Sequence, residues 1–454
     1  MRFEALPRPA RAVIVGAYGY RNAFLRYRAE YRRYSRFLAE TDGADQAERE
    51  AYQLAELIAL LSDVSEGTPA LRRVAVDAKS FRSDANPYAL LKQLPFQEKA
   101  AMRAMPQDFA NANVKAIMTS STSGSTGSPM TFGHDAVGLQ RRIALMKDHY
   151  RLAGVGARAK SIRLSGRILS NPDKHDAKPW LYNPSENQVF LSTYHLNDRH
   201  SGAIIDMVRR FKPEVLDGYP SAILEFLSLS KDGQPLVNSV RSVITTAETL
   251  DDELRSKIEH LSATTVLDYY AASEGVHPIQ QCPHGMYHVR WQGGIFEIYN
   301  DQGLASEGDG ELVCTSFVQR KTPLIRYRTG DLVSGYSRKG KTCACGLCTP
   351  TVDAILGRVE DYVRTPDGRR IGMFPYRTLK LLSGIEASQI KQLGFSDFEV
   401  LAVLNPAADA DSVTAEVKKS FERALGYPIR VRLEVVNQIA KGPNGKVRSV
   451  ISRF

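Results

Sequence analysis

Five cysteines and two tryptophans are few for 454 residues. So low a cysteine content in a long chain excludes a secreted scaffold held together by disulfides. Four of the five nevertheless cluster, Cys282 on one short segment and Cys343, Cys345 and Cys348 on another. Long apolar runs are missing as well. A membrane-spanning helix needs roughly 20 apolar residues, and the early candidate Ala12 to Tyr20 is short and interrupted by two glycines. Glu4 and two prolines precede it and no small-residue cleavage pattern follows, so it does not read as a secretory signal. The expectation is a cytoplasmic protein without membrane insertion. Internal repeats and low-complexity tracts are absent too.

What is present is length and apolar content, 43% hydrophobic, enough for two or more cores. The net charge of +10 arises from 60 basic and 50 acidic residues. Much of the excess sits in scattered arginines, concentrated at Arg21 to Arg36 among Phe24, Leu25, Phe37 and Leu38. That spacing suits an amphipathic helix with solvated arginines and buried aromatics. A basic balance also attracts polyanionic small molecules, so charge alone does not choose a partner.

Residues 1–105 read as helical, with periodic stretches at 18–40 and 46–62 and a proline-punctuated region after Pro69. Helix and strand patterns then alternate. Helices are predicted at His134 to Ala153, Ser201 to Phe211 and Asp251 to Leu261, and strands at Ser161 to Leu164, Val189 to Ser192, Val240 to Thr245 and Thr264 to Tyr269. Such alternation predicts an α/β fold around a mostly parallel, helix-covered sheet. Residues 287–357 turn to short strands (Ile295 to Tyr299, Glu311 to Thr315, Leu324 to Tyr327) and predict a β-rich subdomain. A boundary near Gly357 separates residues 1–357 from 358–454, where a helix at Tyr376 to Gly384, a strand at Glu399 to Leu404, a helix at Asp411 to Leu425 and a strand at Ile429 to Val436 make a small α+β unit.

The densest chemistry lies at Thr119 to Met130, Thr-Ser-Ser-Thr-Ser-Gly-Ser-Thr-Gly-Ser-Pro-Met. Gly124 and Gly127 let several backbone N–H groups converge, and Ser123, Ser125 and Thr126 add donors without bulk, which suits a phosphate. Alone, such a run also suits a flexible linker. It is followed in order by Tyr270-Ala-Ala-Ser-Glu274, Tyr327-Arg-Thr-Gly-Asp331-Leu, Gly357-Arg358-Val-Glu-Asp361 and Pro443-Asn-Gly-Lys446-Val. The set resembles the acyl-adenylating superfamily. Trp180-Leu-Tyr-Asn, Ser192-Thr-Tyr-His-Leu, Gly218-Tyr-Pro-Ser and Cys343-Ala-Cys345-Gly are similar to its phenylacetate-CoA ligase and CapK-like branch.

That resemblance implies an acid-thiol ligase in which residues 1–357 form the adenylation domain and 358–454 a mobile lid. A carboxylate and Mg·ATP give acyl-AMP and pyrophosphate, and a thiol then takes the acyl group. It implies ATP, Mg²⁺ and CoA as cofactors and an aryl or arylacetic acid as substrate. The alternative within the branch passes the acyl group to an amine, a hydroxyl or a carrier-protein thiol in polysaccharide or natural-product biosynthesis. By the same resemblance Ser123, Gly124, Ser125, Thr126 and Gly127 wrap phosphates, with Ser128 where many relatives have Lys. Ala247 and Glu248 line the nucleotide and acyl pockets, Tyr270 stacks on adenine and Ser273 donates to the α-phosphate. Glu274 holds Mg²⁺, as a hard cation beside phosphate prefers a carboxylate. Asp331 accepts the ribose hydroxyls, Arg358 contacts ribose or phosphate, Glu360 is the hinge and Lys446 is the catalytic lid lysine, with Lys441 as fallback. His195, Tyr219 and Ala271, which replaces the usual glycine, fall where relatives line the acyl pocket.

Cys282, His288, Cys343 and Cys345 offer the number and type of ligands that tetrahedral Zn²⁺ takes, with His284 and Cys348 as substitutes. Four protein ligands leave no open position, so the metal's role is structural. The spacing is not that of a DNA-binding finger, and no nucleic-acid partner is expected. The N-terminal helices offer a face for a homodimer.

Overall fold

The computed structural model describes residues 3–74, 86–121, 130–170, 178–230, 236–300, 302–358, 362–366, 370–372, 378–379, 382, 384–406, 408–440 and 450–452. The chain divides into two compact units. The first holds residues 1–250, 254–329 and 333–354, and the second holds 251–253, 330–332 and 355–454.

In the first unit, α1 (Arg8–Arg26) starts with Pro9 in its opening turn, where a missing N–H leaves no gap in the ladder. The chain breaks at Arg28, in extended backbone, before α2 (Ala29–Glu40). The helix predicted across 18–40 is therefore two. The predicted burial of aromatics applies to Tyr34 on α2, at 1% exposure, but Phe24 on α1 is 66% exposed. Arg28 lies 4.8 Å over its ring. Arg11 on the same helix is buried and donates to the Leu169 carbonyl at 2.5 Å. Helix α3 (Gln46–Val64) opens on a capping box. The Asp45 side chain accepts from Glu48 N–H at 2.9 Å and the Glu48 side chain accepts from Asp45 N–H at 2.9 Å. Leu54, Leu57, Leu61 and Val64 share one face of α3 and are buried with Ile295 and Phe317. Three short helices follow, α4 (Pro69–Arg72), α5 (Pro87–Leu91) and α6 (Lys99–Ala104).

Strands β1 (Met118–Ser121) and β2 (Thr131–His134) pair antiparallel, Ser121 opposite Thr131. Helix α7 (Ala136–Leu152) is capped by the Asp135 side chain, which accepts from Gly138 N–H at 2.8 Å. The central sheet has nine strands. They are β3 (Ser161–Ser165), β4 (Trp180–Asn183), β5 (Gln188–Ser192), β6 (Val215–Gly218), β7 (Ser242–Thr246), β8 (Val266–Tyr270), β9 (Ile279–Gln281), β10 (Tyr287–Val289) and β15 (Thr351–Val352). Their order is β15-β10-β9-β8-β7-β6-β3-β5-β4. Strands β8, β7, β6, β3 and β5 are parallel, as the alternating pattern predicts, and the outer strands are antiparallel. Helices α8 (Asp198–Phe211), α9 (Pro220–Leu227) and α10 (Asp252–Ser262) place Ile204, Phe226 and Ile258 in the same core as Ile162, Leu216 and Val243 of the sheet.

A second sheet joins β11 (Gly294–Asn300), β12 (Gly303–Ala305), β13 (Gly308–Ser316) and β14 (Tyr327–Tyr336), in the order β12-β11-β13-β14. Two sequence expectations change here. Strands β10 and β15, assigned to the β-rich part, pair into the nine-stranded sheet instead. The strand predicted from Leu324 begins only at Tyr327, because Arg326 has φ +48°. Its guanidinium forms a buried two-bond pair with Glu297, Nε to Oε2 and Nη2 to Oε1 at 3.0 Å each.

The chain passes between units within β16 (Ala354–Arg358). The second unit contains the hairpin β17 (Tyr362–Arg364) and β18 (Arg370–Gly372). It also contains a four-stranded sheet, β21 (Arg430–Val435), β20 (Asp397–Leu404), β19 (Ile385–Gly394) and β22 (Val450–Ser452), in that order. Helix α11 (Ala410–Leu425) is capped by Asp409, which accepts from Ser412 N–H at 2.9 Å, and stops at Gly426 with φ +84°. Its Val413, Val417 and Phe421 are buried with Ile390, Phe398 and Val400 of the sheet. Most of the helix predicted at Tyr376 to Gly384 lies outside the described residues.

Candidate functional site

The glycine-serine loop itself, Ser123 to Gly127 with Ser128, lies outside the described residues, as do Glu360, Lys441 and Lys446. Its two feet are described, and they are the informative part. Ser120 on β1 donates to the carbonyl of Ser273 at 2.8 Å, and its Oγ is 2.6 Å from His134 Nε2 on β2. His134 Nδ1 lies 2.8 Å from Gln319 Oε1. Gln319 Nε2 donates in turn to the carbonyl of Glu274 at 2.7 Å and to that of Thr322 at 2.7 Å. Hydrogen bonds, part-exposed at Ser120 and buried from His134 to Gln319, therefore fasten the base of the hairpin to the Ser273-Glu274 backbone. Gly275 completes the turn at φ +108°, and a Cβ there would lie 2.7 Å from the Gln319 side chain, so the position requires glycine.

Glu274 is 6% exposed. Ser273 Oγ donates to its Oε2 at 3.2 Å, and the Tyr327 hydroxyl lies 3.5 Å from Oε1. Among the described residues no ion pair engages it. A buried carboxylate hydrogen-bonded by neutral hydroxyls, with the part-buried Arg142 guanidinium as its nearby positive charge, is suited to a hard divalent cation. His134 is fully buried and held neutral, with burial, and then the Arg142 charge, lowering it to about 4.

The other expected residues fall at strand ends. Ala247 directly follows β7 in the left-handed region, φ +69°, a conformation that costs a non-glycine residue on the order of 1–2 kcal/mol. Glu248 beside it accepts from Ser221 Oγ at 2.8 Å and Ser221 N–H at 3.3 Å, at the start of α9, so it holds that helix to the β7 turn. Tyr219 precedes α9, Tyr270 ends β8 and Ala271 follows it. His195 is fully buried with Nε2 3.0 Å from Ser170 Oγ and its ring edge-on to His200 at 5.2 Å. In the second unit, Arg358 Nε lies 3.5 Å from Asp331 Oδ1.

The cysteine-histidine cluster forms with the four residues of the first-choice set. The ligand atoms of Cys282, His288, Cys343 and Cys345 all lie within 4.8 Å of one another. Cys282 Sγ is 3.6 Å from Cys343 Sγ, and Cys345 Sγ is 3.3 Å from His288 Nε2. The sulfurs are too far apart for a disulfide, which needs about 2.05 Å. His284 and Cys348 are exposed and stand outside the group. Thr349 Oγ1 sits 2.8 Å from His288 Nδ1, fixing the ring so that Nε2 faces the sulfurs. Burial pushes the Cys345 thiol up to about 12 and, with the Arg290 charge, holds His288 down at about 4. Three sulfurs and one imidazole nitrogen, drawn together and partly desolvated, fit a soft or borderline divalent ion that would displace the thiol protons. Cys282 and His288 belong to the β9–β10 edge of the large sheet, so the cluster ties the 337–350 segment to that edge.

Sequence reasoning missed Ser120, His134, Gln319 and Thr349. Ser120 and His134 flank the loop on one face of the hairpin, where Ser120 pairs with Phe132 and His134 with Met118, a diagonal that reading the hairpin as a unit would have exposed.

Residues 363–453 match the family model described as the CapK C-terminal domain. The chain is 27% identical over 380 residues to Protein CapK of Staphylococcus aureus, covering 81% of each. It is 22% identical over 451 residues to the phenylacetate-coenzyme A ligase of Aromatoleum evansii, covering 92% of this chain and 97% of that protein. Among solved structures, 2-hydroxyisobutyryl-CoA ligase in its postadenylation state matches the fold with TM-score 0.67, covering 91% of each chain at 16% identity. Fold and sequence together define the class, and the chain belongs to the adenylate-forming superfamily. Within it, the protein is of the CapK and phenylacetate-CoA ligase-like type.

Proposed function

We propose that the protein is an AMP-forming acid-thiol ligase. One carboxylate oxygen attacks the α-phosphorus of ATP, the bond to the β-phosphate oxygen breaks, and pyrophosphate leaves. The CoA thiol then attacks the acyl carbon and AMP departs. The observation that carries this reading is the set of hydrogen bonds from Ser120 through His134 and Gln319 to the Glu274 backbone, which fastens the base of the β1–β2 hairpin to the segment that bears a buried carboxylate.

In this reading Glu274 holds Mg²⁺, which supplies charge for the phosphate oxygens. Ser123, Gly124, Ser125, Thr126 and Gly127 bind phosphates, Tyr270 stacks on adenine, and Ser273 donates to the α-phosphate. Asp331 and Arg358 hold the ribose. Lys446 balances charge between the carboxylate and the α-phosphate, and the lid turns about Glu360. The Cys/His cluster carries structural Zn²⁺. The match of residues 363–453 to a CapK domain favours a second reading of the last step only, in which an amine, hydroxyl or carrier-protein thiol replaces CoA. The acid is an aryl or arylacetic one, as the resemblance implies.

Pyrophosphate release is to be measured with ATP, Mg²⁺ and a panel of carboxylic acids, with and without CoA. Release that depends on one acid supports adenylation, and thioester formation on adding CoA fixes the acceptor. Absence of release with every acid overturns the reading.

A further inference from the structure

Helix α7 carries Arg141, Arg142, Lys147 and Arg151. Three of these meet carboxylates. Arg141 pairs with Glu30 at 2.7 Å and Glu56 at 3.1 Å, Lys147 with Glu186 at 3.4 Å, and Arg151 with Asp42 at 2.7 Å and Asp148 at 2.9 Å. Arg142 has no carboxylate within ion-pair distance among the described residues, and its contacts are to His134. Its Nη1 lies 3.0 Å from Nδ1 and 3.1 Å from Nε2 of that ring. Nearly equal distances put Nη1 over the imidazole face rather than in line with either lone pair, and the two ring nitrogens already face Gln319 Oε1 and Ser120 Oγ. Nε and Nη2 of Arg142 have no hydrogen-bond partner among the described residues.

The guanidinium is aimed at the strand ends that carry the candidate site. Arg142, Met146 and Tyr150 are spaced i, i+4, i+8 on one face of α7, and Met146 and Tyr150 line a cavity together with Thr246 and Tyr269, at the carboxyl ends of β7 and β8. Those ends lead into Ala247-Glu248 and Tyr270 to Glu274. Burial lowers the Arg142 pKa, and the Tyr269 and Glu274 side chains act against that, so both lie within electrostatic reach. The run from Thr122 to Pro129 between β1 and β2 holds hydroxyls and glycines but no basic side chain. Positive charge for a phosphate has to come from outside it.

We infer that Arg142 is a phosphate-binding residue, its unpaired N–H groups meeting nucleotide phosphate oxygens on the Glu274 side of the site. The inference rests on the adenylation reading and adds a residue to it. A cation withdrawn from water without a carboxylate partner is costly in the empty protein, and phosphate oxygens remove that cost through charge-assisted hydrogen bonds. Once Glu274 carries Mg²⁺, its charge no longer serves the guanidinium, which then turns wholly to phosphate. Negative charge builds on the departing pyrophosphate as its bond to the α-phosphorus breaks, and a fixed guanidinium stabilises it without reorganisation.

The test is calorimetric binding of Mg·ATP and of Mg·pyrophosphate to the full-length protein with no acid present, so that turnover does not enter. Arg142→Gln is expected to weaken both at least tenfold while its urea midpoint stays level or rises, because an unpaired charge has been removed. Arg142→Lys keeps a point charge without the fork, and is expected to bind at least threefold more weakly than the parent but more tightly than Arg142→Gln. It decides the matter if Arg142→Gln does not fold. Parental affinity in either folded variant overturns the role of Arg142 and leaves adenylation standing. Weaker binding by Arg142→Gln with a lower urea midpoint assigns the side chain to packing and likewise overturns it. No Mg·ATP binding by the parent overturns both readings.

Discussion

Replacing His134 by Asn tests the buried chain that fastens the hairpin base to Glu274. In the folded protein burial and Arg142 keep the imidazole neutral down to about pH 4, against 6.5 for the ordinary side chain. In the unfolded chain it protonates through 6.5. The unfolded state therefore binds the extra proton between pH 6.5 and 4, so the stability His134 contributes is fully present above pH 6.5 and is lost as pH falls toward 4. A difference of two and a half units corresponds to about 3 kcal/mol at full extent, and about 2 kcal/mol is lost between pH 7 and pH 5. The assay is urea unfolding followed by tryptophan fluorescence at pH 5, 6 and 7. The two tryptophans, Trp180 and Trp291, both lie in the first unit and report on it alone. His134→Asn is expected to be less stable at pH 7 but to lose about 2 kcal/mol less than the parent on going to pH 5. Equal pH slopes for the two proteins refute the claim that this histidine is buried and neutral.

Three further outcomes are expected. Protein purified without chelator should carry about one equivalent of zinc, and Cys345→Ser should lose most of it and unfold at lower temperature; less than half an equivalent in the parent contradicts the metal assignment. Lys446→Ala should lower acid-dependent pyrophosphate release at least a hundredfold with an unchanged far-ultraviolet circular dichroism spectrum, and parental activity removes Lys446 from the mechanism. Gly275→Ala, forced to hold φ +108° with its Cβ against Gln319, should cost about 2 kcal/mol or more in the first unit's urea stability, and a change below 0.5 kcal/mol speaks against the tight turn beside Glu274.

Much of this was legible in the residues. The alternation of helix and strand patterns between 134 and 269 predicts the parallel sheet, because buried parallel strands and amphipathic covering helices leave distinct periodicities. The Cys/His cluster was legible because soft side chains at turn positions have few other uses. What escaped were features set by tertiary approach. Phe24 lies exposed beneath Arg28 although its helix spacing suggests burial. Arg326 delays the start of a predicted strand to Tyr327, since pairing with Glu297 stabilises a left-handed backbone that no local propensity favours. His134 and Gln319 lie 185 residues apart in sequence, and nothing local to either announces the bond between them.

The most direct measurement is a crystal structure of the full chain with Mg²⁺ and an ATP analogue whose α,β-bridge resists cleavage. The account requires the triphosphate to lie against residues 123–127, with the ion bridging Glu274 and phosphate oxygen. A nucleotide bound anywhere else, or an ion that leaves Glu274 without a metal contact, contradicts it.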